Sequence, residues 1–217
     1  MNIDIPYDVN DVTLLCFLMN RYGSDKSKLS HNGHHTYTAY YAKVFEPVSQ
    51  NKLRLFELGL GTNNVTLPSN MGANGRPGAS LRGWRDFFPN SLIYGADIDR
   101  DILFQEDRIK TYYCDQLDKN SIKAMWDIPE LQENFDIIIE DGLHSYDANK
   151  CFFENSIHKL NKGGVYIIED IVHSYIPSYL QLIETWKSSF PDCDFRIKTL
   201  PGPNTYDNNL IVVKKRD

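Results

Sequence analysis

The chain has 217 residues, of which 41% are hydrophobic and 24% are charged. These fractions are ordinary for a globular protein, so they predict one folded domain with a sizeable core and argue against extensive disorder. Aspartate and glutamate (29) outnumber lysine and arginine (23), which gives a net charge of −6. This acidic balance, without a long basic run, excludes a typical nucleic-acid-binding face and favours small-molecule partners.

The cysteines and the amino terminus add further exclusions. Four scattered cysteines without CxxC spacing predict neither a zinc site nor a disulfide framework. The first residues lack the basic start and apolar stretch of a signal peptide. No uninterrupted apolar run reaches the ~18 residues of a membrane span. We therefore expect a cytoplasmic protein without a membrane partner, and a homo-oligomer stays an open alternative.

The first 50 residues are predicted to form a helical segment that contains a loop. Apolar residues at helical spacing indicate one helix within residues 10–21, capped by Asn10 or Asp11, and another from Thr38 to Phe45. The polar segment from Tyr22 to Thr36 contains three histidines. It is either an ordinary surface loop or a lid over a functional site. The segment is expected to belong to a single domain that spans residues 1–217.

Seven apolar or alternating runs predict strands along the rest of the chain. They are Leu53–Leu58, Leu92–Asp97, Ile109–Cys114, Phe135–Glu140, Val165–Ile168, Asp194–Leu200 and Asn209–Lys214. Helical patterns lie between them at Ser80–Phe88 (with Ser80 as the cap), Asp118–Trp126, Asp147–Leu160 and Pro177–Phe190, and residues 161–164 are expected to stop the third of these. The alternation predicts an α/β fold with a mostly parallel sheet, helices on both faces and a C-terminal antiparallel pair.

The connections after the first two strands predict parts of a ligand site. Glu57-Leu58-Gly59-Leu60-Gly61 is a glycine turn without the full GxGxxG pattern, so alone it is a weak nucleotide-binding signal. The following segment, Asn63–Ala79, is long enough that it should be functional or disordered. Asp97 ends the second strand, where a carboxylate can bind ribose hydroxyls. Asp99 competes for that role, and either residue can instead cap the next helix.

Two later strands end alike, because Phe135–His144 and Gly163–Asp170 each run from apolar residues into two carboxylates. The carboxyl ends of parallel strands meet at the edge where ligands bind in α/β sheets. Carboxylate oxygens suit Mg²⁺, Mn²⁺ or Ca²⁺. His144, three residues after Asp141, suits a general base. The alternative is that these acids cap helices or pair with lysines.

Five segments resemble, in order, the motifs of a known enzyme family. They are Tyr22-Gly23-Ser24-Asp25-Lys26, Glu57-Leu58-Gly59-Leu60-Gly61, Gly95-Ala96-Asp97, Asp141-Gly142-Leu143-His144 and Ile168-Glu169-Asp170. On these motifs the chain resembles class I S-adenosylmethionine-dependent methyltransferases. More narrowly, it resembles the metal-dependent macrolide-sugar O-methyltransferases and their cephalosporin-hydroxylase-like relatives. The resemblance implies a Rossmann-like methyltransferase fold with a seven-stranded sheet.

The resemblance also implies a role for individual residues. For S-adenosyl-L-methionine, Glu57, Gly59 and Gly61 would border the methionine part, Asp97 would hold the ribose, Asp115 and Gln116 would lie near the adenine, and His35 and Tyr37 would cover the site. A divalent metal, Mg²⁺ or Mn²⁺, would bind Asp141, Glu169 and Asp170. His144 would act as the general base.

The implied reaction is methyl transfer to a hydroxyl of a sugar or glycosylated small molecule, with a sugar or nucleotide sugar as the acceptor. A catechol-type or other small-molecule O- or N-methyltransferase stays an alternative, as does a non-catalytic S-adenosylmethionine-binding protein. The chain departs from the family where Glu140-Asp141-Gly142-Leu143-His144 replaces the usual Asp-Asp-Gly-Ser-His. It also departs in the Asn63–Ala79 insertion, so the acceptor of the macrolide enzymes is not carried over.

Overall fold

The computed structural model describes residues 1–30 and 35–217, which contain one eight-stranded sheet. Its strands are β1 (Arg54–Leu58), β2 (Leu92–Asp97), β3 (Gln105–Glu106), β4 (Ile109–Tyr113), β5 (Phe135–Glu140), β6 (Leu160–Ile168), β7 (Cys193–Thr199) and β8 (Asn209–Lys215). The order across the sheet is β3-β4-β2-β1-β5-β6-β8-β7. The five strands from β4 to β6 in this order pair in parallel, whereas β3, β8 and β7 pair antiparallel.

This topology confirms the predicted α/β fold with a C-terminal antiparallel pair. The predicted strand number of seven is too small, because the sheet also contains β3. β3 has two residues and pairs with the start of β4. A segment that short has no hydrophobic period, so pattern analysis of the sequence does not detect it.

Within residues 1–30 and 35–217, six α-helices cover the sheet, at positions close to the predicted ones. They are α1 (Leu14–Tyr22), α2 (Tyr37–Phe45), α3 (Ala79–Phe87), α4 (Lys119–Trp126), α5 (Tyr146–Ser156) and α6 (Ile176–Ser189). Among the described residues none of these helices has the length and apolarity needed to cross a membrane.

Alternation along the strands divides the apolar residues between two cores. Leu55 and Ile137 pack with α1, α2 and α3 on one face of the sheet. Their sequence neighbours Phe56 and Ile138 pack with α4, α5 and α6 on the other face. Successive strand residues point to opposite faces, so one run of apolar residues serves both cores. The predicted helices on both faces are therefore confirmed.

Two predicted helix starts are wrong in detail. α1 begins at Leu14, and its cap is Thr13, whose hydroxyl accepts a hydrogen bond from the Cys16 amide at 3.3 Å. α3 begins after Gly78, whose φ of +74° lies in the left-handed region. Ser80 does not cap α3, because its hydroxyl donates to the buried Glu57 carboxylate instead.

The segment predicted to stop α5 belongs to a strand. α5 ends at Ser156, a 3-10 turn follows over Ile157–Lys159, and β6 begins at Leu160. The register against β5 shifts between Phe135 and Ile137, so residues 161–164 form a bulge in the pairing. Glycine and asparagine in this segment indicate a helix end in the sequence. Such residues are also common in β-bulges, and here they lie in one.

Candidate active site

A cavity of about 260 Å³ opens at the carboxyl ends of the parallel strands. Eight predicted site residues line it: Gly59, Gly61, Asp97, Asp115, Gln116, Asp141, His144 and Asp170. The four other predicted site residues, Glu57, Glu169, His35 and Tyr37, are buried and are not among the lining residues. The eight residues therefore lie together at the predicted edge of the sheet, whereas the individual roles of all twelve residues stay predictions.

The glycine turn after β1 allows two strand ends to meet. Gly59 has a φ of +91°, and its amide donates to the Ala96 carbonyl of β2 at 2.8 Å. A Cβ atom at Gly59 would lie 1.8 Å from the backbone oxygen of Asp141. Only glycine tolerates both this backbone conformation and this approach. The turn therefore brings the β1 loop directly against the loop that carries Asp141 and His144.

The structure separates the two aspartates that compete for the end of β2. The Asp97 carboxylate lines the cavity and accepts hydrogen bonds from the amides of Leu60 at 2.7 Å and Asp99 at 2.8 Å. Burial raises its pKa, although these amides oppose the shift. Asp99 instead caps the 3-10 turn Arg100–Ile102. Asp99 is thus the residue that caps a helical turn, whereas Asp97 lines the cavity and can contact a ligand.

Gln116 ties the loop after β4 to the loop after β5. Its Nε2 donates to Glu140 Oε1 at 2.5 Å, and its Oε1 accepts from the Leu143 amide at 2.8 Å. Asp115, also in the lining, accepts from the Leu117 amide at 2.9 Å. Burial raises the pKa of Glu140 to about 8. These contacts fix the cavity wall nearest the predicted adenine position.

Asp141, His144 and Asp170 form the candidate metal-binding group among the described residues. One ligand atom from each lies within 4.8 Å of the others. His144 Nε2 is 3.0 Å from Asp141 Oδ1, and His144 Nδ1 is 3.4 Å from Asp170 Oδ2. Both His144 and Asp170 have a φ in the left-handed region, 57° and 55°. Non-glycine residues rarely adopt that conformation, and such strain is concentrated at functional sites.

The carboxylates dominate the electrostatics of this group. Burial alone would lower the pKa of His144, but the charges of Asp170 and Asp141 raise it to about 10. Burial opposes ionisation of Asp141, yet Lys26 and His144 hold its pKa below the usual range. Burial raises the pKa of Asp170 despite the opposing effect of His144. The two carboxylates therefore favour a positive charge between them, on His144 or on a bound cation.

Lys26 is the main residue of the site that the sequence analysis missed. Its side chain is 2% exposed, and Nζ lies 2.5 Å from Asp141 Oδ2, contacts Glu169 Oε2 and lies 3.7 Å from Glu57 Oε1. Burial would lower its pKa, but the three carboxylates raise it well above the usual value. A signal was present, because several buried acids at one edge require a cation and Lys26 ends one of the family motifs.

Glu169 and Glu57 lie behind the cavity with their oxygens engaged. Glu169 Oε1 accepts a hydrogen bond from the Tyr41 hydroxyl at 2.6 Å, and Oε2 contacts Lys26. Glu57 accepts hydrogen bonds from the Ser80 hydroxyl and from Trp84 Nε1, both on α3. Their predicted contacts with the metal and the cofactor stay predictions. Their observed partners lie on α2 and α3, except for Lys26, which lies in the turn after α1.

His35 and Tyr37 both contact the carboxylate of Asp170. The Tyr37 hydroxyl donates to Asp170 Oδ1 at 2.6 Å, and His35 Nδ1 lies 3.5 Å from the same oxygen. The two rings are 4.7 Å apart. These residues are thus placed to orient Asp170. The other two histidines of the predicted lid, at positions 31 and 34, lie outside the described residues.

The long segment after Gly61 forms one wall of the cavity. Leu67, Pro68, Ser69 and Met71 are among the lining residues. The Ser69 hydroxyl donates to the Leu143 carbonyl at 3.0 Å, and the Met71 amide donates to the Thr62 carbonyl at 2.8 Å. Of the two expectations for this segment, function or disorder, its position favours function.

Comparison with curated proteins finds relatives for most of the chain. It is 34% identical over 172 residues to the 8-demethyl-8-alpha-L-rhamnosyl tetracenomycin-C 2'-O-methyltransferase of Streptomyces olivaceus, and 32% identical over 185 residues to the L-olivosyl-oleandolide 3-O-methyltransferase of Streptomyces antibioticus. These alignments cover 79% and 82% of this chain but 41% and 42% of those proteins. The chain thus spans about two-fifths of the length of these relatives. No family model matches.

Comparison with solved structures identifies the fold. The MycE methyltransferase from the mycinamycin biosynthetic pathway, in complex with Mg and SAH, matches with a TM-score of 0.71 and 24% identity. The match covers 95% of this chain and 55% of MycE. The fold is therefore that of the class I S-adenosylmethionine-dependent methyltransferases. Within that class, the curated relatives are sugar O-methyltransferases, which confirms the resemblance seen in the motifs.

Proposed function

We propose that the chain is an S-adenosylmethionine- and divalent-metal-dependent O-methyltransferase that acts on a sugar hydroxyl of a glycosylated small molecule. The observation that carries this proposal is that Asp141 and Asp170, whose carboxylates can hold a metal, line the same cavity as His144, Gly59 and Asp97. The sugar O-methyltransferases among the relatives support the reaction and the class of acceptor.

The cavity suits S-adenosylmethionine, which when bound supplies a methyl group on a sulfonium ion. Asp97 is placed to accept hydrogen bonds from ribose hydroxyls. Ile98 and Leu117 provide apolar surface for the adenine ring, next to the side-chain amide of Gln116. Negative charge around a cavity favours a cationic ligand, and the sulfonium and the amino group of the cofactor are both cationic.

Asp141 and Asp170 would hold the divalent ion, because their oxygens suit Mg²⁺ or Mn²⁺ and face the cavity. Such an ion supplies Lewis acidity that lowers the pKa of an acceptor hydroxyl. The family resemblance also implies Glu169 as a third ligand, and Glu169 would then have to exchange its contact with Lys26 or with Tyr41. His144 lies beside both aspartates and therefore near a hydroxyl that binds the ion. It would take the proton from that hydroxyl.

The acceptor would lie against the wall formed by residues 67–71, where the chain differs from the family pattern. The relatives favour a sugar attached to a larger molecule. A nucleotide sugar as the acceptor, a homo-oligomeric state and a single domain over residues 1–217 stay predictions.

The test is a methyl-transfer assay read by mass spectrometry. The purified chain is mixed with trideuteromethyl-labelled S-adenosylmethionine, Mg²⁺ and rhamnosyl or olivosyl glycosides, with catechols and nucleotide sugars as comparison acceptors. We expect a labelled methyl group on a glycoside, its loss after EDTA treatment, and its return with Mg²⁺ or Mn²⁺. Full activity after EDTA would remove the metal role. Cofactor binding without transfer to any acceptor would favour a binding protein.

A further inference from the structure

A narrow cavity continues from the large one past the glycine turn after β1. The two cavities share five lining residues: Asp25, Gly59, Gly61, Met71 and Asp141. Arg76 lines the narrow cavity but not the large one. We propose that Arg76 binds the α-carboxylate of S-adenosylmethionine there and thereby selects the cofactor with its amino-acid end intact. This inference rests on the cofactor of the proposed function.

Backbone hydrogen bonds hold Arg76 beside the glycine turn. The Gly78 amide donates to the Leu60 carbonyl at 2.7 Å, and the Met71 amide donates to the Thr62 carbonyl at 2.8 Å. The stretch from Met71 to Gly78, which contains Arg76, is therefore attached at both ends to residues that follow β1. Arg76 thus lies next to the turn that is predicted to border the methionine part of the cofactor.

The turn after α1 leaves room for the Arg76 side chain. Gly23 ends α1 and has a φ of +90°. A Cβ atom at Gly23 would lie 3.1 Å from Arg76 Cδ, 3.6 Å from Nε and 3.7 Å from Nη1. A side chain at this position would crowd the arginine. Because glycine has none, the guanidinium can lie against the turn at the rim of the narrow cavity.

The Arg76 guanidinium is available to a ligand. Among residues 1–30 and 35–217, no hydrogen bond or ion pair engages it, and Arg76 is exposed. Arg82 on α3 differs, because it pairs with Glu106 and donates to the Pro77 carbonyl. An arginine without a protein partner can form two parallel hydrogen bonds with a ligand carboxylate.

The charges around the two cavities make this arginine necessary for an anionic group. The lining contains five aspartates: Asp25, Asp97, Asp115, Asp141 and Asp170. The lysines and arginines of the described lining are Lys26 and Arg76. Lys26 is already held by Asp141 and Glu169. Arg76 is therefore the remaining lining cation that can pair with the cofactor carboxylate, which the aspartates repel.

Asp25 offers the complementary charge for the amino group of the cofactor. It lines both cavities, whereas Arg76 lies at the far end of the narrow one. A zwitterionic amino-acid group fits with its ammonium toward Asp25 and its carboxylate toward Arg76. Two opposite charges fix the direction of this group, and they thereby help to orient the sulfonium methyl for transfer.

The test compares S-adenosylmethionine with decarboxylated S-adenosylmethionine by calorimetry in the presence of Mg²⁺. The wild type should bind the intact cofactor about 10-fold or more tightly, because the analogue cannot accept the charged hydrogen bonds. Arg76→Met should weaken binding of the intact cofactor by a similar factor and leave binding of the analogue at least as tight. Arg76→Lys should retain part of the preference, since it keeps the charge but not the paired donors.

Arg21→Met is the matched control. Arg21 is also exposed and lies two residues before Gly23, but its guanidinium lies 5.7 Å from the centre of the Tyr22 ring and lines neither cavity. Its replacement removes the same charge and should leave both affinities at their wild-type values. An equal loss of preference in Arg21→Met would attribute the effect to overall charge and overturn the contact with Arg76.

The remaining outcomes distinguish this proposal from the proposed function. The melting temperature of Arg76→Met should match that of the wild type, because the exposed side chain has no partner to lose. Equal losses of affinity for both ligands in Arg76→Met would indicate a structural role and overturn the proposal. Equal affinities of the wild type for both ligands would also overturn it and leave the cofactor standing. A wild type that binds neither ligand would contradict the proposed function itself.

Discussion

Replacement of His144 by alanine is expected to lower kcat about 10²-fold or more, as befits loss of a general base. The imidazole lies 3.0 Å from Asp141 and 3.4 Å from Asp170, so it adjoins the proposed position of the acceptor hydroxyl. S-adenosylmethionine affinity should change little, because the cofactor contacts are assigned to the β1, β2 and β4 ends. The measurement is steady-state methyl transfer together with calorimetric cofactor binding.

The pKa of His144 predicts the direction in which the methyl-transfer rate changes with pH. A base must be deprotonated, and the carboxylates of Asp170 and Asp141 raise the pKa of His144 to about 10 in the metal-free protein. The rate should therefore rise with pH. Positive charge held by the two aspartates opposes protonation of the imidazole, so with Mg²⁺ the rise should occur well below pH 10.

His158→Ala is the control for this substitution. His158 lies in the 3-10 turn after α5, at a distance from the carboxyl ends of the strands, and its removal should leave turnover and its pH profile unchanged. Near-normal turnover of His144→Ala would remove the residue from the mechanism. A loss of cofactor affinity equal to the loss of turnover would instead indicate a structural role.

Replacement of Gly59 by alanine is expected to lower the free energy of unfolding by about 3 kcal/mol or more. The new Cβ would lie 1.8 Å from the Asp141 carbonyl oxygen and 2.5 Å from its carbon, both of them backbone atoms. The chain must separate the β1 and β5 loops to relieve this overlap. Cofactor binding should weaken in parallel, because those loops form the cavity. Denaturant unfolding and calorimetry measure the two effects.

Gly72→Ala separates the overlap from the backbone strain. Gly72 also has a positive φ, of 71°, but a Cβ there would have no heavy atom within 4 Å. This control should cost only about 1 kcal/mol, from the conformation alone. Equal stability losses in the two variants would show that the close approach of Gly59 to Asp141 does not matter.

Hydrophobic patterning was sufficient to predict most of the fold. The runs that became β1, β2, β4 and β5 were predicted to within about one residue, because each is apolar or alternating and ends in a polar turn. The two-residue β3 was missed, since its pairing depends on contact with β4 rather than on its own composition. The same limit applies to the bulge in β6, which tertiary pairing determines.

The sequence predicted that the site lies at the carboxyl edge of the sheet, but it did not predict which way each side chain points. Acids at the ends of parallel strands had to converge, and Asp97, Asp141 and Asp170 do. Glu169 and Asp170 are adjacent in sequence, yet one contacts Lys26 and the other lines the cavity. Lys26 was missed because a lysine in a polar loop normally lies in water, and only the surrounding acids reveal its burial.

We expect one cavity of this protein to bind both S-adenosylmethionine and a divalent cation. Paramagnetic broadening of the methyl resonance of ¹³C-methyl-labelled S-adenosylmethionine by Mn²⁺ tests it without knowledge of the acceptor. With the protein present, we expect strong broadening that EDTA reverses and that Asp170→Asn removes while the cofactor still binds. A cofactor signal that stays sharp when both ligands are bound would place them in separate sites and rule out a shared cavity.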